Sequence, residues 1–278
     1  MSFAPAIDCH VHLMPDRLMR AIRRALNDAA GWEFPHSTAR EDIEATLTDA
    51  GVERYIALPY AHKPDIAAEL NDWVLAKAEE SEMCVPFATV HGEDDVAEVV
   101  TRAFERGARG LKFQCPVQGC GPADPRLDPA FELASEYDRP ILFHAGTAPM
   151  FEDSPHVGVD QFESFLQSYP DVRAACAHMG TFEEDAFIAL LDEYDNAYLD
   201  TCFSMSSAAP RYMDFDPDSI ATEVFEEHAD RIMYGSDYPN IPHDYAAERE
   251  HLLSRTLSEG AQRAIFKGTA ERFLGERS

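Results

Sequence analysis

The stretch Ala6-Ile7-Asp8-Cys9-His10-Val11-His12 is an apolar run that ends on two histidines separated by one valine. Alternate side chains of an extended chain share a face, so His10 and His12 point the same way, with both rings within reach of one ion. Imidazole with carboxylate suits zinc, manganese, iron or nickel better than magnesium or calcium. A pair of this kind also occurs on ordinary surfaces, so its meaning depends on how the other strands of the chain end.

Seven further short apolar runs follow, at residues 55–58, 85–89, 110–113, 141–143, 174–177, 197–200 and 232–234. Their starts recur roughly every 23 to 35 residues after the first unit, the length of a strand plus a crossover helix. The segments between them carry helix signals. Ile66, Leu70, Trp73 and Val74 keep helical spacing behind Pro64-Asp65, where Asp65 is the expected cap. Thr181-Phe182-Glu183-Glu184 has the form of a capping box opening a helix over 185–193, with Phe187, Leu190 and Leu191 as its buried stripe. Leu257-Ser258-Glu259 opens a final helical segment bearing Ile265, Phe266, Phe273 and Leu274. Eight such units predict a (β/α)8 TIM barrel, an α/β fold, as one domain over residues 1–278. An open doubly wound sheet is the runner-up, and it lacks a Gly-rich phosphate loop after the first strand. The long first unit predicts a helical insertion at about 15–36 near the barrel mouth, with Leu18, Ile22 and Leu26 on one stripe of a lid helix.

The 278 residues are 45% hydrophobic, enough for a sizeable core. Neither a membrane span nor a secretory signal is visible, so the expectation is a soluble, cytoplasmic protein. The six cysteines lie in a chain too large to need stapling, several of them inside apolar runs, and no disulfide framework is expected. Cys115 and Cys120 read as loop cysteines, because no second pair at ligand spacing accompanies them. Charge is the unusual property: 23 basic against 51 acidic side chains give a net −28, spread along the whole chain. Lys63, Lys77, Lys112 and Lys267 are its only lysines. Such a surface lacks the clustered cations that a nucleic-acid backbone requires, and it suits a halophilic setting in which salt screens self-repulsion.

In a barrel of this kind the residues at the C-terminal ends of the strands converge on one face and build the site. Five runs stop conspicuously: at His10-Val11-His12, at Lys112-Phe113-Gln114, at His144-Ala145-Gly146, at His178-Met179-Gly180 and at Gly235-Ser236-Asp237-Tyr238-Pro239. A barrel core wants Val, Ile and Leu, so the convergence of histidines and an aspartate has no ready packing explanation. By alternation Asp8 shares the face of His10 and His12, deeper in the barrel. Tyr60, His62 and His243 follow strand ends and are weaker candidates for the substrate side. His91, Phe151, Tyr212 and Phe215 rank with them.

These motifs, in this order, resemble the amidohydrolase superfamily, in particular the amidohydrolase-2 branch that includes aminocarboxymuconate-semialdehyde decarboxylase. The resemblance implies that His10, His12, His144 and Asp237 bind one divalent metal, zinc first and manganese second. It implies that His178 is the acid/base beside a metal-activated water, with Asp237 sharing the proton role. In some branches the lysine matching Lys112 is carboxylated and bridges two metals. Here the expectation is one metal, with Lys112 paired to an acidic ligand, a substrate carboxylate or a buried acidic neighbour. TatD-like deoxyribonucleases share the opening pair but place a glutamate where this chain reads Lys112-Phe113-Gln114. The leading functional expectation is a metal-dependent hydrolase of a small ester, lactone or amide. A non-oxidative decarboxylase on the same ligands and a catalytically silent metal-binding barrel are the alternatives. A small-molecule substrate is expected, with no nucleic acid or membrane partner and a homodimer as the default assembly.

The charge yields the first prediction. Raising KCl from low to multimolar concentration is expected to raise the thermal unfolding midpoint, and equal midpoints at both extremes would refute the halophilic reading.

Overall fold

The computed structural model describes residues 5–151 and 153–276. Its eight strands are β1 (Ala6–Val11), β2 (Val52–Ala57), β3 (Cys84–Pro86), β4 (Leu111–Phe113), β5 (Ile141–Phe143), β6 (Ala174–Cys176), β7 (Ala197–Asp200) and β8 (Ile232–Met233). All pair in parallel, each beside its neighbours in the chain. Two seams close the ring. Ala88 bridges to Leu111, with Lys112 N–H donating to Ala88 O at 2.8 Å, and Val11 bridges to Tyr238, with Cys9 N–H donating to Tyr234 O at 2.9 Å. The strands are buried on both faces, which is why they read as continuous apolar runs.

The apolar side chains fall into two layers. Ile7, Cys9, Ile56, Leu58, Phe87, Leu142 and Met233 fill the barrel, together with Phe273 and Leu274 of the C-terminal helical segment. That segment covers the end where the strands begin: Arg173, just before β6, donates to Phe273 O at 2.8 Å, and Arg54 makes a paired contact with Glu276 at 2.8 Å. A larger layer lies between strands and helices. All six cysteines are free and buried.

Two predicted helix starts differ from expectation. Asp65 does not cap the helix Ala67–Glu79: it takes a left-handed φ of 66°, and its N–H goes to Asp94. The expected capping box at Thr181 does not form either. Thr181 sits at φ 47° and no side chain caps the helix Glu184–Glu193, while the neighbouring Glu183 accepts the N–H groups of Thr147 (3.3 Å) and Val159 (3.2 Å), so that it serves the start of the helix Val159–Ser168. Ser258 does cap its helix, accepting Ala261 N–H. The helix Asp16–Ala30 leads to Trp32 and His36, and Arg23 fixes it over the barrel mouth. Its guanidinium donates to Asn240 Oδ1 (3.1 Å), His36 O (2.6 Å) and Pro239 O (2.7 Å).

Glu248, on the helix Ala246–Ser254, accepts Phe203 N–H at 2.9 Å while fully buried. Burial, then the nearby Asp8 and Asp200 carboxylates, push its carboxyl well above the ordinary 4.5. A raised folded value means that Glu248 contributes stability below its unfolded value and loses it as pH rises toward the folded one. Glu248→Gln keeps the acceptor and removes the proton, so it is expected to raise the unfolding midpoint at about pH 8 and to leave it nearly unchanged at about pH 5. A pH-independent difference in calorimetry would contradict this.

Candidate metal centre

The first strand does not alternate along its whole length. Asp8 Oδ1 accepts the N–H of His10, two residues on, at 3.1 Å, and the register of β1 against β2 shifts between Asp8 and Val11. Ile7 and Cys9 point into the barrel, and beyond this bulge so do His10 and His12. Asp8 therefore lies on the opposite face, correcting the expectation of strict alternation. Its carboxylate bonds Ser236 Oγ (2.6 Å), Ser236 N–H (3.1 Å) and Tyr245 OH (2.9 Å). Burial pushes it up to about 7 against those hydrogen bonds.

The groups behind the imidazoles fix their tautomers. Asp200 Oδ2 lies 2.8 Å from His10 Nδ1, Leu58 O lies 2.9 Å from His12 Nδ1, and Cys202 O lies 2.9 Å from His178 Nδ1. Each of these oxygens is an acceptor, so each Nδ1 carries the proton and each Nε2 presents a lone pair. His178 Nε2 then accepts from His144 Nδ1 at 3.1 Å, which leaves His144 Nε2 as a fourth lone pair. The Nε2 atoms of His10 and His144 are buried and have no hydrogen-bond partner.

Asp237 faces these nitrogens from just beyond β8, with Oδ1 2.9 Å from His12 Nε2 and 3.5 Å from His10 Nε2. Burial raises its carboxyl, but the His12 hydrogen bond and the His10, His12 and His178 rings outweigh this and bring it to about 2. Burial and then Lys112 lower His10 to about 4, and burial and then His178 hold His144 well below the usual histidine range. A carboxylate oxygen against an imidazole lone pair requires a cation or a proton between them. His10, His12 and Asp237 bring their ligand atoms within 4.8 Å of one another, while His144 stands outside that trio with its ring against His178 at 4.8 Å. A second cluster, His10, His178 and Cys202, is already committed: Cys202 Sγ donates to Asp200 Oδ1 at 2.7 Å, and both Nδ1 atoms have the acceptors named above.

Asp200 ends β7 and was not singled out in the sequence. Fully buried, it accepts His10 Nδ1–H on one oxygen and the N–H groups of His178 (2.9 Å) and Cys202 (3.2 Å) on the other. Burial opposes its ionisation, and the His10 charge and hydrogen bond hold it well below the usual carboxylate range. The signal that could have found it is the one that found Asp237, an acid ending a barrel strand. Glycines let these elements meet. A Cβ on Gly235 would lie 2.9 Å from His10 Cβ, and one on Gly146 would lie 2.5 Å from Gly180 O, which brings the two His-x-Gly turns into backbone contact.

Above the candidate metal ligands lies an open-mouthed cavity of about 100 Å³, with His12, His144, His178, Asp237 and Tyr60 on its wall. Leu26 and Trp32 line it from the segment after β1, Phe151 after β5, and Phe203 and Met213 after β7. Trp32 stacks on Phe203 at 5.1 Å between ring centroids. His62 is exposed and off this wall, because Tyr60 takes the position at the end of β2 and the chain then turns to solvent. His243 is buried behind Phe203, 5.4 Å between rings, and Tyr212 also packs on Phe203. His91 and Phe215 are buried away from the cavity. Lys112 is fully buried, its ammonium without a hydrogen-bond partner, among Asp200, Cys202 and Asp237.

A sequence model of the amidohydrolase family matches residues 7–275. The chain belongs to this family. No curated protein matches its sequence. Among solved structures it is similar to an uncharacterised TIM-barrel protein from Bordetella bronchiseptica, with TM-score 0.72, 18% identity, and 98% of this chain and 99% of that one covered. It is also similar to a candidate 2-pyrone-4,6-dicarboxylic acid hydrolase from Pseudomonas putida, with TM-score 0.67, 17% identity, and 97% of each chain covered. A third is the 5-carboxyvanillate decarboxylase of Novosphingobium aromaticivorans, solved with bound manganese, with TM-score 0.65, 16% identity, and 98% of this chain and 97% of that one covered. At these identities the likeness carries the barrel fold. The amidohydrolase superfamily uses a divalent metal, and the donor set fits one: orphaned Nε2 lone pairs on His10 and His144, the fixed Nε2 of His12, and an ionised Asp237.

If Asp200 sets the His10 tautomer, Asp200→Asn is expected to weaken metal binding about 10- to 100-fold in competition with a chromophoric chelator. An unchanged affinity would show that His10 needs no orienting carboxylate.

Proposed function

We propose that this amidohydrolase is a metal-dependent hydrolase of a small ester, lactone or amide, with zinc as first choice of metal and manganese as second. The observation that carries this reading is the set of Nε2 lone pairs converging with Asp237 beside an open cavity that also exposes His178. A structural site would close around its ion and would leave no such base on a cavity wall. His10, His12, His144 and Asp237 would hold the ion, which when bound lowers the pKa of water toward about 7 and polarises a carbonyl.

The protein's own groups move the proton. His178, held through Nδ1 by Cys202 O, would take the proton of the attacking water on Nε2, the lone pair that accepts His144 Nδ1–H until the water displaces that contact. As the water oxygen bonds to the carbonyl carbon, its proton passes to that nitrogen. When the carbon–oxygen or carbon–nitrogen bond breaks, the leaving atom recovers a proton from the same ring. Asp237 lies beside this path and shares the proton role, and the apolar lid residues Leu26 and Trp32 limit water around the reacting carbonyl.

Purified protein is expected to carry about one equivalent of metal per chain, lost in His10→Ala. In a screen of esters and lactones with added Zn2+ or Mn2+, His178→Asn is expected to keep its metal and lose about 100- to 10,000-fold in kcat. Full turnover by that variant would remove His178 from the mechanism. Carbon dioxide release in place of acid release in a pH-stat would overturn hydrolysis itself.

A further inference from the structure

The cavity wall carries a selectivity that its metal ligands do not. Among the described residues lining it, none is Lys or Arg. Arg23, which bonds the wall residue Asn240, spends the rest of its guanidinium on His36 O and Pro239 O. Lys112 lies beneath the histidines, off the wall, and faces Asp200 and Asp237. The polar groups offered beside the histidines and Asp237 are neutral: Gln114, Asn240, Thr181 and Tyr60. Opposite them stand Trp32 stacked on Phe203, and Phe151, which meets the His144 ring edge-on at 6.0 Å. A carboxylate placed in this cavity would leave water without gaining a cationic partner from the protein, and an uncompensated buried charge is costly. The net charge of −28 adds long-range repulsion of anions.

We infer that the site takes uncharged, ring-bearing esters or lactones and rejects substrates with a free carboxylate. The inference rests on the hydrolase reading for the reaction, but the selectivity belongs to the wall and can be read by binding alone. Trp32, carried on the lid segment, and Phe203, placed by Glu248 through its backbone N–H, are the specificity-determining residues that receive the ring.

The test uses the full-length, metal-loaded protein in molar KCl, where long-range repulsion is screened and only the wall discriminates. Acetophenone and 4-acetylbenzoate, non-hydrolysable ketones that differ by one carboxylate, are compared by calorimetric titration. Phenyl acetate and 4-acetoxybenzoate are compared as substrates. The neutral member of each pair is expected to be favoured about 100-fold, in affinity and in kcat/KM. Val117→Lys, which introduces a cation on a half-buried stretch of the wall, is expected to narrow both ratios about tenfold. Equal binding of the two ketones, or no binding of acetophenone, overturns the inference, as do ratios unmoved in Val117→Lys. Preferential acetophenone binding with neither ester hydrolysed supports the selectivity and tells against the hydrolase reading, so the two failures are distinguishable.

Discussion

The site depends on a buried carboxylate that never meets the cavity. Among the described residues no lysine or arginine is hydrogen-bonded to Asp200, and the cost of burying its charge is offset by donors from three places: His10 Nδ1 on β1, His178 N–H after β6, and the N–H and S–H of Cys202 in its own loop. Because an ionised carboxylate only accepts, His10 must donate through Nδ1 and keep its Nε2 lone pair toward Asp237. Leu58 O does the same for His12, and Cys202 O for His178. The chemistry of the metal face is thus set by the acceptors on the far side of each ring.

This explains which parts were legible in the sequence. The strands were, because a parallel strand buried on both faces leaves an unbroken apolar run, and the residues that interrupt eight such runs stand out. His10, His12 and Asp237 were brought together from that signal alone. What escaped was whatever a local hydrogen bond reset. The Asp8 carboxylate captures His10 N–H, the strand bulges, and the alternation that put Asp8 beside the histidines reverses. Thr181 and Glu184 match a capping box in spacing, but Thr181 takes a positive φ, no side chain caps the helix that follows, and the intervening Glu183 serves another helix. Asp200 carries the right residue type at the right place, yet its partners are backbone N–H groups and a ring nitrogen that no one-dimensional pattern displays. Trp32 and Phe203 lie in long connections whose course the period of the strands does not specify.

The strand ends that build the site are also where the backbone departs most from ordinary conformation. His178, Met179, Thr181, Phe203 and Asp237 all take positive φ without being glycine. Each such residue costs on the order of 1–3 kcal/mol and persists only where its surroundings fix it. Here the surroundings are visible: Asp200 on His178 N–H, Glu248 on Phe203 N–H, and His10 O on Asp237 N–H at 2.8 Å. These sharp turns end β6, β7 and β8 abruptly, and the double-layered apolar core beneath holds them in place.

The acids around the centre divide by what faces them. Asp8 and Glu248 meet hydroxyls, backbone N–H groups and other carboxylates, and burial raises both toward the protonated form. Asp200 and Asp237 meet imidazoles and are held ionised. The histidines of the centre whose ionisation shifts, His10 and His144, are pushed to the neutral form, and burial pushes Lys112 downward as well. Of the two ionised acids only Asp237 turns toward the converging Nε2 atoms, while Asp200 stays behind the His10 ring, so one carboxylate completes the donor set and the other orients it.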